Sequence, residues 1–248
     1  MEKENLQQEN EEMKKIISAK SELLSLSAHQ LRTSLSALKW TFKMFLDGDV
    51  GELAPEQQAL IKKASDSNER MIALVSDILT LNKTDAGTLP YHIEEFNIVS
   101  LIDETLFEFI GESYKRGIEI IFLKPDSPIP NISADREKIR VVFENIIENA
   151  LKYSSKGDKI FISINIRDAE VEIAVKDNGI GIKEDEASKI FTKFFRTSEA
   201  EQKDTVGTGL GLFTTKNIVE HHNGKIWFES VSNNGSTFFV TLPIKHNG

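Results

Sequence analysis

Between Leu24 and Leu81 the apolar residues recur at steps that alternate four and three, in two stretches separated by a glycine-containing turn. The first stretch is Leu24, Ala28, Leu31, Leu35, Leu38, Phe42 and Phe45; the second is Leu60, Ala64, Ser67, Met71, Leu74, Ile78 and Leu81. That alternation is the heptad rule for a helix packed along one seam. Asp47-Gly48-Asp49-Val50-Gly51-Glu52-Leu53-Ala54 supplies the turn, so the first helix is expected to end near Leu46, and Pro55 suits the first turn of the second. Two helices with matching seams and a short connection make an antiparallel hairpin. One hairpin cannot bury faces this broad, whereas two can as a four-helix bundle, so a homodimer is expected. His29 lies one residue off the first seam, with Thr33 one turn later on the same exposed face. An imidazole reachable from solvent and largely neutral at cytoplasmic pH can act as a nucleophile, although the position also suits an ordinary surface histidine.

Upstream, Leu6, Met13, Ile16 and Leu23 fit one heptad frame, while Ile17 and Leu24 fit the frame that continues past His29. A slip of one position marks either a coiled-coil lead-in with a register change or a frayed helix start. Downstream, Asn82-Lys83-Thr84-Asp85-Ala86-Gly87 closes the second helix. The expected organisation is a lead-in over residues 1–25, the helical hairpin over 26–87 and a second domain over 88–248.

In the last of these, strand-like runs (Ile118–Leu123, Lys159–Ile166, Val171–Lys176, Lys225–Ser230, Thr237–Pro243) alternate with helical ones (Ile98–Lys115, Asp135–Tyr153, Gly209–His222). Turn residues fall at Arg167-Asp168 and Ser232-Asn233-Asn234-Gly235. The pattern points to an α/β sandwich with helices on one face of a mixed sheet, and the chain as a whole to the α+β class.

A formal net charge of −9 without a basic stripe excludes wrapping of nucleic acid. It also requires that any site for an anionic nucleotide carry local cations or a metal. The absence of cysteine rules out disulfides and thiolate metal sites. No apolar run reaches the ~18 residues a membrane span needs. The expectation is a soluble chain without membrane contact of its own, located in the cytoplasm or forming the cytosolic part of something longer.

Three segments carry chemistry. In Asn145-Ile146-Ile147-Glu148-Asn149-Ala150-Leu151-Lys152-Tyr153 the two asparagines are four apart and share a helix face. Amide oxygens there can hold Mg²⁺, a hard cation that shares its oxygens with substrate phosphates, and Lys152 can reach the same phosphates. The other reading is a pair of solvent-facing amides. Asp177-Asn178-Gly179-Ile180-Gly181-Ile182 follows a strand; its aspartate can accept from an adenine amino group, with Gly179 and Gly181 allowing close backbone approach to the base. Asn-Gly also suits a tight hairpin, but the residues that follow are polar and helix-like. Gly207-Thr208-Gly209-Leu210-Gly211-Leu212 enters a helix, and its free N–H groups suit phosphate. A dinucleotide-type loop fails because residues 197–206 are polar and not a strand. That stretch reads as a mobile lid. Phe191, Phe194 and Phe195 anchor it by packing, and Arg196 is available to a phosphate. His92, His221, His222 and His246 show no partner pattern and read as surface or loop residues.

In this order the segments resemble the histidine kinase family of two-component signalling. His29–Leu35 looks like the H box, Asn145–Tyr153 the N box, Asp177–Ile182 the G1 box, Phe191–Arg196 the F box and Gly207–Leu212 the G2 box. The resemblance implies a dimerisation and phosphotransfer hairpin followed by a Bergerat-type ATP-binding domain. It implies His29 as phosphoacceptor, Asn145 and Asn149 on Mg²⁺, and Lys152 and Arg196 on phosphates. Tyr153 would lie at the ribose or base, Asp177 on adenine, and Gly207, Thr208, Gly209, Leu210 and Gly211 on the phosphate side. The implied reaction carries the γ-phosphoryl of ATP to His29, then to an aspartate on a response regulator receiver domain, with Thr33 placed for dephosphorylation of that regulator. Gln30 stands where the family often has Glu or Asp, and Ser34 where it usually has Pro. Gln30 reads either as slowing autophosphorylation or as a tolerated variant, Ser34 as making the bend of the kinase state harder, and together they leave open a phosphatase-biased or scaffolding variant. Serine in place of proline predicts a straighter helix.

Overall fold

The computed structural model describes residues 19, 27–28, 30–85, 91–125, 127–203 and 207–244, with backbone only at 73 and 76–85. All but residue 19 of the expected lead-in, His29, the boundary near residue 88, residues 204–206 of the expected lid and His246 lie outside the described residues. The chain divides into two compact units, one helical and one α/β that begins at Tyr91.

In the helical unit, α1 covers 30–46 and α2 covers Pro55–Asp85, joined by the expected turn. Helix α1 is continuous through Ser34, whose hydroxyl donates to the Gln30 carbonyl at 3.1 Å. Ala28, Leu35 and Val75 are buried together, with Ile72 packed against them. Asn68 Nδ2 donates to the Leu35 carbonyl at 2.9 Å, and Lys39 pairs with Glu69 at 2.8 Å. The contacts run antiparallel, but the α2 positions facing α1 are Asn68, Ile72 and Val75. The expected seam residues Leu60, Met71 and Leu74 stay exposed, as do Leu31 and Leu38 of α1. The apolar face of α2 is therefore two adjacent stripes, and only one of them meets the hairpin's other arm. A helix in a four-helix bundle touches two neighbours and carries a wider stripe than a two-helix seam.

The α/β unit holds β1 (Ile93–Phe96), α3 (Ile98–Arg116), β2 (Glu119–Leu123), β3 (Ile132–Asp135), α4 (Arg136–Tyr153), β4 (Lys159–Arg167) and β5 (Glu170–Lys176). It continues with α5 (Glu184–Ala187), α6 (Ser198–Lys203), α7 (Gly211–His221), β6 (Lys225–Ser230) and β7 (Ser236–Pro243). Five strands form one mixed sheet in the order β2-β4-β5-β7-β6, with only the β2–β4 pair parallel. Alternate residues of β4, β5 and β7 (Ile160, Ile162, Ile164; Val171, Ile173, Val175; Phe238, Val240, Leu242) are buried against α3, α4 and α7. The short pair β1–β3 is an addition that the sequence pattern did not predict. Asp135 is the N-cap of α4, its side chain accepting from Lys138 N, and α7 starts at Gly211, two residues later than expected.

His222 is no surface residue: only 1% of it is exposed. Its Nε2 accepts from Asp135 N at 3.0 Å, so the ring is neutral with its proton on Nδ1, which donates to the Ile218 carbonyl at 2.8 Å. His221 stacks on Tyr91 with centroids 3.7 Å apart. His92 is exposed, as expected.

Candidate functional site

Helix α4 is the spine of the candidate site. One face carries the buried Ile139, Val142, Phe143, Ile146, Ile147, Ala150 and Leu151, which leaves Asn145, Asn149, Lys152 and Tyr153 half-buried beside the core. Neither asparagine is fully exposed, and the Asn145 amide is engaged within the fold. Asn145 Nδ2 donates to Thr215 Oγ1 at 3.2 Å and to the Gly211 carbonyl at 3.4 Å, tying α4 to the first two turns of α7. This fixes the amide's orientation and leaves Oδ1 as its acceptor edge, 3.5 Å from where a Cβ on Gly211 would stand. Lys152 Nζ lies 3.8 Å from Glu148. At the other end of the helix, the Tyr153 carbonyl accepts from Ile180 N at 3.3 Å. Eight residues separate Asn145 from Tyr153, ~12 Å of helix axis.

Asp177 follows β5 and is 6% exposed. Its Oδ1 accepts from Gly179 N at 2.8 Å and Ser236 N at 3.2 Å, while its own N–H donates to the Ser236 carbonyl at 2.8 Å. Two donors on one oxygen leave Oδ2 as the edge open to a further donor. Burial pushes the carboxyl above the usual carboxylate range, and the Gly179 and Ser236 N–H groups and the Lys203 charge partly offset this. The chain does not return as a hairpin; it bends and enters α5. Gly179 and Gly181 press on protein backbone. A Cβ on Gly179 would stand 2.5 Å from the Tyr153 carbonyl oxygen, and one on Gly181, at φ +66°, 2.1 Å from the Val231 oxygen. The close approach expected with a base is thus already made within the fold.

Gly209, at φ +72°, accepts at its carbonyl from Phe194 N at 3.0 Å. Leu210 is buried at the N-cap position of α7, with no side chain capping the helix, and Gly211 is its first residue. Gly207 and Thr208 directly precede this turn in sequence. Arg196 is turned into the lid segment, where its Nη2 donates to the Ala200 carbonyl at 2.8 Å. Phe191 and Phe195 pack on the core as expected, but Phe194 is 57% exposed. Its positive φ of 63°, which aims its N–H at Gly209, turns the side chain outward. In the helical unit, Gln30 and Thr33 are both exposed on α1.

Two contributors were missed from sequence. Ser236 acts through its backbone. Lys203, the last residue of α6, donates from Nζ to the carbonyls of Tyr153 at 2.6 Å and Ser154 at 3.1 Å. Among the described residues no group of three His, Cys, Asp or Glu side chains could hold a metal. A cation here would rest on amide oxygens and on its ligand's phosphates, which suits Mg²⁺ and fits the amide orientation at Asn145.

Residues 19–87 match the model of the His Kinase A (phospho-acceptor) domain, and residues 134–246 that of the histidine kinase-, DNA gyrase B- and HSP90-like ATPases. The chain is 34% identical over 240 residues to the sensor histidine kinase WalK of Bacillus subtilis, an alignment covering 94% of this chain and 38% of WalK. It is 35% identical over 249 residues to the adaptive-response sensory kinase SasA of Prochlorococcus marinus, covering 98% of this chain and 63% of SasA. The chain thus spans less than two thirds of the length of either relative. Among solved structures, the catalytic domain of the histidine kinase ThkA superposes with a TM-score of 0.55 at 34% identity, over 62% of this chain and 97% of that domain.

Proposed function

The chain belongs to the two-component sensor histidine kinases, and from that premise we propose that it carries the γ-phosphoryl group of ATP to His29 and on to an aspartate of a response regulator receiver domain. The observation that carries the nucleotide reading is the Asp177 carboxylate. It is buried, held by two backbone N–H groups on one oxygen, and followed by a turn whose Ile180 N–H bonds to the Tyr153 carbonyl, at the end of the helix that carries the oriented Asn145 amide.

In this reading Asp177 Oδ2 accepts from the adenine amino group and Tyr153 flanks the ribose or base. Lys152, Arg196 and the N–H groups from Gly207 to Gly211 take the phosphates. Asn145 and Asn149 supply oxygens to Mg²⁺, which when bound neutralises charge on the phosphate oxygens. A ring nitrogen of His29 forms the bond to phosphorus as the bond to the bridging oxygen breaks. ADP leaves, and the ring proton goes to solvent, because the Gln30 amide has no basic site. Thr33 orients water for the reverse traffic, hydrolysis of the phosphorylated regulator. The exposed Leu31, Leu38, Leu60, Met71 and Leu74 are covered by a second copy of the hairpin, giving a dimeric bundle. The domain limits are those read from sequence, residues 26–87 and 88–248. Among the described residues no helix is long and apolar enough to cross a membrane. The phosphatase-biased alternative keeps one observation in its favour, the uninterrupted helical passage of α1 through Ser34.

Calorimetric titration with ADP, with and without Mg²⁺, tests the nucleotide reading. Binding is expected to tighten with Mg²⁺ in the wild type and to lose that response in Asn149→Ala. Binding indifferent to both would remove the reading.

A further inference from the structure

Helix α6 is fastened at both ends. At its start, Ser198 N donates to Glu186 Oε1 at 3.0 Å, Ala200 N donates to Thr197 Oγ1 at 3.2 Å, and Lys183 pairs with Glu199. At its last residue, the Lys203 ammonium seats on the carbonyls of Tyr153 and Ser154, the last residue and the C-cap of α4. A cation is favoured there because those carbonyls lack helical partners and carry the negative end of the helix dipole. The same Tyr153 oxygen accepts from Ile180 N, so Lys203 bonds to the very group that braces the Asp177–Gly181 turn. It lies at the Tyr153 end of α4, ~12 Å along the axis from Asn145 and the phosphate side.

We propose that Lys203 is a positioning residue of the nucleotide site, clamping α6 against the base end and acting on the purine rather than on the phosphates. The proposal rests on the nucleotide reading above. A lysine in a lid beside a glycine-rich turn would ordinarily be assigned to phosphate; its seat on the α4 C-terminus places it at the other end of the site. Its second effect is electrostatic. Burial lowers the Lys203 pKa, the Asp158 and Asp177 charges oppose this, and Arg116 adds to the lowering. Around Asp177, burial and Asp158 raise its pKa while the Gly179 and Ser236 N–H groups and Lys203 lower it. Removing the ammonium therefore raises the pH at which the Asp177 carboxylate becomes protonated and binds an amino group less well.

The test uses the full chain as wild type, Lys203→Met and Lys203→Arg, with binding of adenosine, ADP and Mg-ATP measured across pH. Lys203→Met is expected to weaken all three ligands by the same factor, about tenfold, the scale of a charge-assisted hydrogen bond. It is also expected to move the acid limb of adenosine binding to higher pH, and Lys203→Arg to restore most of both. A loss that grows with the number of phosphates, an unchanged adenosine affinity or an unmoved acid limb overturns the proposal. Failure of the wild type to bind any of the three would instead strike the nucleotide reading itself. Unchanged far-UV circular dichroism of Lys203→Met separates these outcomes from misfolding.

Discussion

Asp177 and Ser236 bond to each other twice, the Asp177 N–H to the Ser236 carbonyl at 2.8 Å and the Ser236 N–H to Asp177 Oδ1 at 3.2 Å. The pair closes the ends of β5 and β7 around a carboxyl that burial makes easier to protonate than in the unfolded chain. Because burial raises its pKa above the unfolded value, the native state holds the proton more tightly than the unfolded chain. The ionised form thus costs stability that appears as pH rises through the ordinary carboxylate range.

Asp177→Asn should remove that cost while its Oδ1 still accepts both N–H groups. Its melting temperature is expected to exceed that of wild type at pH 7 by roughly 2–4 °C, a change of about 1 kcal/mol in a domain of this size. The advantage should vanish below pH ~4, where the unfolded carboxyl is itself protonated. ATP affinity should fall at least tenfold, since the amide presents a donor to the purine's donor. A variant less stable than wild type at pH 7 would contradict the sign.

Asn68 is 1% exposed between the hairpin helices, yet only its Nδ2 is engaged and its Oδ1 is buried without a partner. An unmatched buried acceptor costs about 1–3 kcal/mol. Asn68→Leu is therefore expected to stabilise the helical unit by about 1 kcal/mol in urea unfolding followed by circular dichroism, and Asn68→Asp to destabilise it relative to wild type. A clear loss of stability in Asn68→Leu would show that the bond to Leu35 outweighs the orphaned oxygen.

The glycines of the two turns should separate structural from functional demand. Gly181→Ala adds a Cβ 2.1 Å from the Val231 oxygen at a φ of +66° and is expected to cost roughly 2–4 kcal/mol of stability. Gly211→Ala meets nothing closer than Asn145 Oδ1 at 3.5 Å and lies in a helix, so stability should hold or rise by up to ~1 kcal/mol. Its nucleotide affinity should drop, because the methyl group takes up space beside the Asn145 oxygen that a cation and its phosphates would need. Thermal melts and ADP titration of both variants check the contrast.

The boxes were legible because each needs side chains of fixed type at fixed spacing. Asn145 and Asn149 share a helix face, and Asp177 stands at a strand end. What escaped had no such signal. To Asp177, Ser236 contributes only an N–H and a carbonyl, which any residue but proline supplies. Lys203 is one lysine in a polar stretch, and its role depends on carbonyls fifty positions away. Strands β1 and β3 have four residues each, too short for an alternation to register. The α2 seam was read one position early because Ser67, Met71 and Leu74 follow the heptad as faithfully as Asn68, Ile72 and Val75. Periodicity fixes the spacing of a stripe, but not which neighbour the stripe meets.

Gln30 follows His29 directly and is exposed on α1. A carboxylate in its place can take the imidazole proton, an effect worth roughly 10²–10⁴ in rate where general-base help is complete. Gln30→Glu is expected to raise the autophosphorylation rate by at least tenfold in single-turnover assays. An equal or lower rate would show that the amide serves by orienting the ring.

The most direct test of phosphoryl transfer to His29 is incubation of the purified chain with γ-labelled ATP and Mg²⁺ beside His29→Ala. The expected result is acid-labile, base-stable label on the wild type and none on the variant. Label retained by His29→Ala, or tight ATP binding by the wild type with no label at all, would contradict it.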